Sequence, residues 1–241
     1  VPIPGTVTTG SFKDRIGGSD LAWQRSRQNP DEGFVRLGLN PLQTIDLREC
    51  PTEASVRQPV RSRIDDGVAT LENGRICVEL PWSQTPVACD MEYSAGPIRR
   101  FRVVSRPWRG RTYFDTRSRM KCWRTRWLEH GPIRSTAEYV AEFADGGFYR
   151  CLITLDAGEG FVRIEEEADC GASDQLVWDF SDADLPSVAW LAESTPSDRL
   201  RRLQFHYDER IARLAGWNQQ SQLHDFYDAF AFGFDASDDV I

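Results

Sequence analysis

A series of short segments between residues 68 and 180, in which apolar and polar residues alternate, constrains the fold most strongly. Each segment runs for roughly 7 to 9 residues, and Gly, Pro or Asp turns separate it from the next. After residue 97 the segments are IRRFRVVS, RTYFDTRS, MKCWRTRWL, AEYVAEFA, FYRCLITLD, FVRIEEEAD and QLVWDFS. Because strands in such a succession pair antiparallel and need a second layer to bury their apolar face, the sequence predicts an all-β fold, an antiparallel β-sandwich.

A hairpin is predicted at the start of this series. The segment VATLENGRICVELP contains two short strand patterns separated by Asn73 and Gly74. Asn-Gly between strand patterns is the strongest short-range hairpin signal, because both residues tolerate the positive φ that a tight turn requires.

One later segment, STPSDRLRRLQFHYDERIARLAG (residues 194–216), has a pattern that suits a helix. Thr195 can cap it, Pro196 suits the first helical position, and Asp198 completes a capping-box pattern. The apolar residues on one helical stripe are Leu200, Leu203, Tyr207, Ile211 and Leu214. Strand alternation in LQFHYD competes, but the capping signals favour a helix. We therefore expect a sandwich with one or two short helices.

The chain is long enough for one large β-domain with an appendage. Residues 1–45 are rich in Gly, Pro, Ser and Asn, which predicts an N-terminal arm with short strands ahead of a β-sandwich domain over residues 46–241. A hydrophobic content of 40% with eight Trp can fill a core, which excludes global disorder. No apolar run approaches the roughly 18 residues of a membrane span, so no membrane partner is expected.

Three pieces of the chain carry a family resemblance: the hairpin at Asn73-Gly74, the Gly-Pro-Ile-Arg segment, and the hairpin GGFYRCLITLDAGEGFVRIE. Residues 68–180 thereby resemble the galactose-mutarotase-like supersandwich domain of bacterial polysaccharide-degrading proteins, as in rhamnogalacturonan-lyase-like chains. The resemblance implies carbohydrate processing, an extracellular or periplasmic location, and an adjacent domain of a longer chain. The matching motifs specify turns and strands and contain no catalytic group.

Residues 96–128 form a strongly basic region, with ten Arg and one Lys against a single acid, Asp115. Within and just beyond it, MKCWRTRWLEH places two Trp four residues apart. On a regular strand Lys121, Trp123, Thr125, Trp127 and Glu129 would share one face, while Arg124 and Arg126 would share the other. Trp123 and Trp127 would then stand about 13 Å apart, close to the span of two or three sugar rings.

These residue types suit an acidic glycan. Trp faces contact pyranose rings through apolar surface, and the Arg fork binds uronate or sulfate oxygens in pairs. The candidate ligand-binding residues are Trp108, Arg111, Tyr113, Trp123, Arg124, Arg126 and Trp127. The alternative is internal ion pairing, in which the basic strands lie across from the acidic segment RIEEEAD.

Nucleic acid is a rival ligand for a basic region with interleaved aromatic residues. An isoelectric point near 5.0 and a net charge of −8 disfavour it, because an overall negative field opposes a polyanion. No nucleic-acid partner is therefore expected.

Acid–base and metal-binding candidates are few. The segment DFSDADLP supplies Asp179, Asp182 and Asp184 as oxygen ligands for a structural Ca²⁺, although turn capping is the commoner use of such aspartates. No other cofactor is expected. His206 and Tyr207 are the catalytic candidates, since a lyase needs a base for the proton α to a uronate carboxylate.

Two classes of function follow. One is a non-catalytic sandwich that binds carbohydrate or supports a polysaccharide-degrading protein. The other is a polysaccharide lyase or glycoside hydrolase acting on a uronate-containing glycan. Since no spacing in the sequence gathers the acid–base candidates against an arginine, we favour the non-catalytic module.

Overall fold

The computed structural model describes residues 9–14, 20–29, 31–35, 47–50, 56–89, 94–104, 106–116, 118–169, 175–179, 188–193, 200–204 and 227–233. Every regular element in these residues is a β-strand, which confirms the predicted all-β fold. The first ten strands are β1 (Thr9–Asp14), β2 (Asp20–Arg25), β3 (Gly33–Val35), β4 (Leu47–Cys50), β5 (Arg61–Asp65), β6 (Val68–Glu72), β7 (Ile76–Pro81), β8 (Val87–Ala88), β9 (Ser94–Ala95) and β10 (Arg100–Val103). The others are β11 (Arg111–Asp115), β12 (Met120–His130), β13 (Arg134–Phe143), β14 (Phe148–Asp156), β15 (Arg163–Asp169), β16 (Gln175–Asp179), β17 (Val188–Glu193), β18 (Leu200–Gln204) and β19 (Tyr227–Gly233).

The strands form five antiparallel sheets in two compact units. Within residues 1–179 the strand orders are β3-β2-β1-β4, β10-β7-β6-β5, β16-β11-β9 and β15-β14-β13-β12-β8. The second unit, residues 180–241, contains the sheet β18-β17-β19. The strands predicted between residues 98 and 181 are all present, as β10 to β16.

The five-stranded sheet has one buried face, which forms much of the core of the first unit. Tyr139 of β13 and Cys151 of β14 lie opposite each other on this face, and both are 0% exposed. Phe114 of β11 lies against it, with its ring centroid 5.0 Å from that of Tyr149 and 5.5 Å from that of Phe143. Two antiparallel sheets therefore meet through aromatic side chains, as the predicted sandwich requires.

The predicted hairpin at Asn73-Gly74 is confirmed. Strands β6 and β7 pair antiparallel, and Gly74 has a φ of 81°. The Asn73 side chain, 1% exposed, accepts two backbone N–H groups of its own turn and donates to the carbonyls of Asp156 and Glu159 at 2.7 and 2.8 Å. One amide thus shapes the β6–β7 turn and joins it to the turn between β14 and β15.

The N-terminal sheet is joined to the sandwich through Gln24 of β2. The Gln24 side chain is 0% exposed, donates to the Arg134 carbonyl at 2.8 Å, and accepts the backbone N–H groups of Ile133 and Arg134 at 2.9 and 3.0 Å. A Cβ on Gly131 would lie 2.3 Å from this amide, so the close approach requires glycine. Because β4 pairs with β1, this sheet continues past residue 45, and the boundary predicted there stays a prediction.

The helix predicted over residues 194–216 is wrong at residues 200–204. These residues form β18, which pairs antiparallel with β17. The rest of the predicted helix lies outside the described residues. Strand pairing satisfies the backbone hydrogen bonds that a helix would otherwise satisfy, and such tertiary pairing overrides local propensity. No helix in the described part of the chain is long and apolar enough to cross a membrane.

Candidate functional site

Strand β12 contains two register irregularities that determine which side chains share a face. Residues directly opposite each other in an antiparallel pair lie on the same face. Trp123, Thr125 and Trp127 lie opposite three residues of β13 that are 0% exposed, so they share the core face. Lys121 falls within the first irregularity, and Glu129 comes after the second, on the opposite face. The single face predicted for all five residues is therefore wrong at its two ends.

On the core face both Trp rings of β12 are half-buried against aromatic neighbours. Trp123 stacks on Tyr139 with a centroid separation of 6.0 Å and an interplanar angle of 14°. The ring of Trp127 lies 4.8 Å from that of Trp82 and 5.5 Å from that of His130. The second tryptophan thus belongs to an aromatic cluster of Trp82, Trp127 and His130, which we call the Trp127 cluster.

Three buried polar atoms lie in or beside the Trp127 cluster. They are Oγ1 of Thr125, Nε1 of Trp127 and Nε2 of His130, and none has a hydrogen-bond partner among the described residues. Thr125 itself is 0% exposed. A buried polar atom without a partner costs free energy, about 1–3 kcal/mol in mutational data, and native structures contain few of them. Three such atoms on neighbouring side chains mark a site suited to a polar ligand.

His130 is held in its neutral form. Burial lowers its pKa below the ordinary value of 6.5, and the positive charge of Arg27 lowers it further. A neutral imidazole has one nitrogen that donates and one that accepts, so its Nε2 can take either role.

The outer face of the same sheet carries a ladder of ion pairs. Glu138 is 3% exposed and accepts Nε–H of Arg126 at 2.5 Å and Nε–H of Arg150 at 2.8 Å. Arg150 also pairs with Glu167 at 3.2 Å. Arg124 lies on this face and has no ion pair among the described residues. Cationic side chains of β12 and β14 therefore compensate the buried carboxylate.

The Glu138 carboxylate is ionised despite its burial. Burial alone would raise its pKa, but the hydrogen bonds from Arg126 and Arg150, with their positive charges, outweigh burial and lower the pKa below 4.5. Internal pairing, the alternative to ligand binding, is thus present for Arg126. The predicted partner was the acidic segment RIEEEAD, which is β15. Arg126 instead pairs with Glu138 of β13, and β15 lies two strands beyond β13 in the sheet.

Trp108 lies beneath two arginines of β10. The guanidinium carbons of Arg100 and Arg102 are 4.4 and 4.5 Å from the centroid of its ring. Arg100 in turn binds Glu79 at 2.6 and 3.0 Å. The ring, in the segment between β10 and β11, therefore packs against two guanidinium groups of β10, and it does not join the two tryptophans of β12.

Arg111 and Tyr113 lie on the face of β11 that points away from Phe114 and the core. The Arg111 Nε–H donates to Asp179 at 2.8 Å across the β11–β16 pair. Two predicted site residues, one for a glycan and one for Ca²⁺, are thus each other's partner. The seven predicted ligand-binding residues are distributed over several surfaces and do not line a single groove.

The remaining candidates fall outside the described residues: Asp182 and Asp184 for Ca²⁺, and His206 and Tyr207 for catalysis. Within the described part of the chain no three His, Cys, Asp or Glu side chains are grouped as metal ligands.

Sequence reasoning missed Trp82 and His130 as members of the Trp127 cluster, and Thr125 as the buried polar residue beside it. Trp82 follows β7 and is 45 positions from Trp127, so no local spacing relates them. Thr125 lies between the two tryptophans on the predicted face, and this alternation was the signal that could have identified it.

The chain matches no protein-family model, no curated protein and no solved structure.

Proposed function

We propose that this chain is a non-catalytic β-sandwich module that binds poly- or oligosaccharide, including acidic glycans, and supports a polysaccharide-degrading protein. The observation that carries the proposal is the arrangement of Trp123 and Trp127. Both are partly exposed and share one face of β12, about 13 Å apart by strand geometry. Aromatic faces at this separation suit successive rings of a glycan chain.

Arg124 supports the acidic part of the proposal. Its guanidinium lies on the opposite face of the same strand and forms no ion pair with described residues. An arginine fork without an internal partner can bind a carboxylate or sulfate in a bidentate manner. The outer face around Arg124 is thus a second contact surface for a charged glycan, separate from the core face of β12 that carries the Trp rings.

Affinity electrophoresis on pectin, alginate, glycosaminoglycan and neutral glycan gels tests the proposal. We expect retardation of the parent on at least one matrix, and less retardation of Trp123→Ala and Trp127→Ala on that matrix. Phe161→Ala is the matched control, because Phe161 is an exposed aromatic residue (41%) in the β14–β15 turn. Thermal unfolding of each variant confirms that it is folded. Equal migration of the parent and both Trp variants on every matrix would overturn the proposal.

A polysaccharide lyase or glycoside hydrolase is the alternative. An ultraviolet assay for unsaturated uronate products and a reducing-sugar assay on the same glycans distinguish it from a binding module. Turnover that His206→Ala abolishes would replace the non-catalytic proposal with the enzymatic one.

A further inference from the structure

We infer that Thr125, Trp127 and His130 form a subsite for a neutral, hydroxyl-bearing sugar ring; the inference rests on the proposed glycan-binding function. It extends that function by naming the kind of ring that occupies one position along β12.

The three atoms that have no hydrogen-bond partner among the described residues differ in what they can donate and accept. Trp127 Nε1 can only donate, Thr125 Oγ1 can donate and accept, and neutral His130 can do either through Nε2. Each hydroxyl of a sugar both donates and accepts, so neighbouring hydroxyls can satisfy this mixed set. A purely apolar guest would leave all three atoms without partners.

Aromatic ring surface lies beside these atoms. Trp127 packs on Trp82 at 4.8 Å with the rings tilted by 34°, and its own ring remains partly exposed. Apolar ring surface next to hydrogen-bonding atoms matches a pyranose, which has apolar C–H faces and a polar rim. Because Thr125 is fully buried, entry of a hydroxyl requires a rotamer change of Trp127 or His130, and such changes are common on binding.

The charged side chains of β12 favour a neutral ring at the Trp127 cluster. Arg124 and Arg126 lie on the outer face of β12, and Arg126 is already paired with Glu138. The Glu129 carboxylate accepts hydrogen bonds from Ser26 Oγ and the Arg27 backbone N–H, at 2.6 and 2.9 Å. The arginines of β12 therefore cannot compensate a carboxylate on a ring at the Trp127 cluster. The positive charge of Arg27 lowers the pKa of His130. A uronate at the Trp127 cluster would therefore have to bind the Arg27 side chain.

The test compares two threonine-to-valine variants on neighbouring strands. Thr125→Val removes a hydroxyl that has no partner in the part of the chain the structure describes, whereas Thr136→Val removes one that is bonded to Thr154 Oγ1 at 3.0 Å. Both threonines are buried, at 0% and 5% exposure, so the two changes are matched in shape and burial. The probes are methyl glycosides of galactose, glucose, mannose and rhamnose, with galacturonate and glucuronate at equal ionic strength, titrated by tryptophan fluorescence.

We expect a neutral glycoside to bind the parent and Thr125→Val to weaken that binding about three- to tenfold, the equivalent of one neutral hydrogen bond. Thr125→Val should also unfold at a temperature equal to or higher than that of the parent, because it removes a buried hydroxyl that has no hydrogen-bond partner among the described residues. Thr136→Val should unfold at a lower temperature and bind unchanged. Trp127→Phe, which keeps a ring and removes the N–H, should weaken binding to a similar extent.

Three results would overturn the inference. In the first, only uronates bind. In the second, neutral glycosides bind Thr125→Val and Trp127→Phe as tightly as the parent. In the third, Thr125→Val unfolds at a clearly lower temperature with unchanged binding, which means that the hydroxyl is structural. Retention of the parent on polysaccharide gels in any of these cases would leave the proposed glycan-binding function standing, whereas binding to no glycan at all would remove both.

Discussion

Glu138 shows how a single residue on the outer face of the sheet depends on its neighbours. The carboxylate is 3% exposed, and its two arginine partners have side chains 52% and 39% exposed. The arginines keep their contact with water while their guanidinium groups bond to a buried anion. Loss of the carboxylate charge would leave Arg126 without this ion pair and Arg150 with Glu167 as its acidic partner.

We predict that Glu138→Gln lowers the free energy of unfolding by about 1–2 kcal/mol at pH 7, a value reduced for the exposure of both arginines. The pKa of Glu138 is lowered in the fold, so its stabilising effect is present above about pH 4.5 and is lost as the pH falls through the folded value. The difference between parent and variant should therefore shrink below pH 4.5. Urea unfolding at several pH values measures it.

Glu165→Gln is the control for this prediction. Glu165 is an exposed acid of the same sheet whose side chain makes no hydrogen bond to the described residues. Its substitution should change stability by less than about 0.5 kcal/mol. A parent–variant difference for Glu138→Gln that stays constant from pH 7 to pH 3 would contradict the assignment of an ionised Glu138.

At the scale of elements, the β6–β7 hairpin depends on one backbone conformation and one side chain. Gly74 provides the left-handed φ of 81°, and Asn73 provides the hydrogen bonds of the turn. Nothing lies within 4 Å of a Cβ built on Gly74. A substitution at Gly74 therefore affects stability through the backbone conformation and causes no steric overlap.

We predict that Gly74→Ala lowers the free energy of unfolding by about 1–2 kcal/mol, the cost of a left-handed conformation for an L-residue. Gly160→Ala is the control, since Gly160 does not have a positive φ and a Cβ at that position would lie 3.8 Å from Arg75 Nη1, an ordinary contact. Chemical denaturation compares the two. Equal stability of Gly74→Ala and the parent would show that the turn has another conformation in solution.

At the scale of the whole molecule, charge is balanced by ion pairs between different strands of the first unit. Arg111 meets Asp179, Arg126 meets Glu138, and Arg134 meets Asp156 at 2.6 Å. The basic surplus of residues 96–128 is thus partly neutralised within the first unit. Gln24 joins the N-terminal sheet to β13 and the turn before it by three neutral hydrogen bonds, and residues 26–28 donate hydrogen bonds to the Glu129 carboxylate of β12.

We predict that Gln24→Leu destabilises the protein by about 3 kcal/mol or more, because it leaves a carbonyl and two backbone N–H groups of residues 133–134 without partners in a buried position. Gln28→Leu, at an exposed glutamine whose side chain makes no hydrogen bond to described residues, should change stability by less than about 0.5 kcal/mol. Thermal and urea unfolding measure both. Similar losses in the two variants would refute the specific role of Gln24.

The sequence by itself determined the hairpin of β6 and β7 and the strands β10 to β15. Alternation and turn residues act over a few positions, so they could be recognised without knowledge of the partner strands. The same local information identified Trp123 and Trp127 as residues on one face of β12. It also identified Asn73-Gly74 as a hairpin turn.

Only the tertiary structure decided which surfaces these residues occupy. The irregularity after Trp127 transfers Glu129 to the other face, and Trp82 contacts Trp127 from the segment that follows β7. Pairing with β17 makes residues 200–204 a strand despite helix-capping signals nearby. In each case the outcome depends on hydrogen bonds and packing between segments far apart in the chain. Such interactions leave no periodic trace in either segment alone.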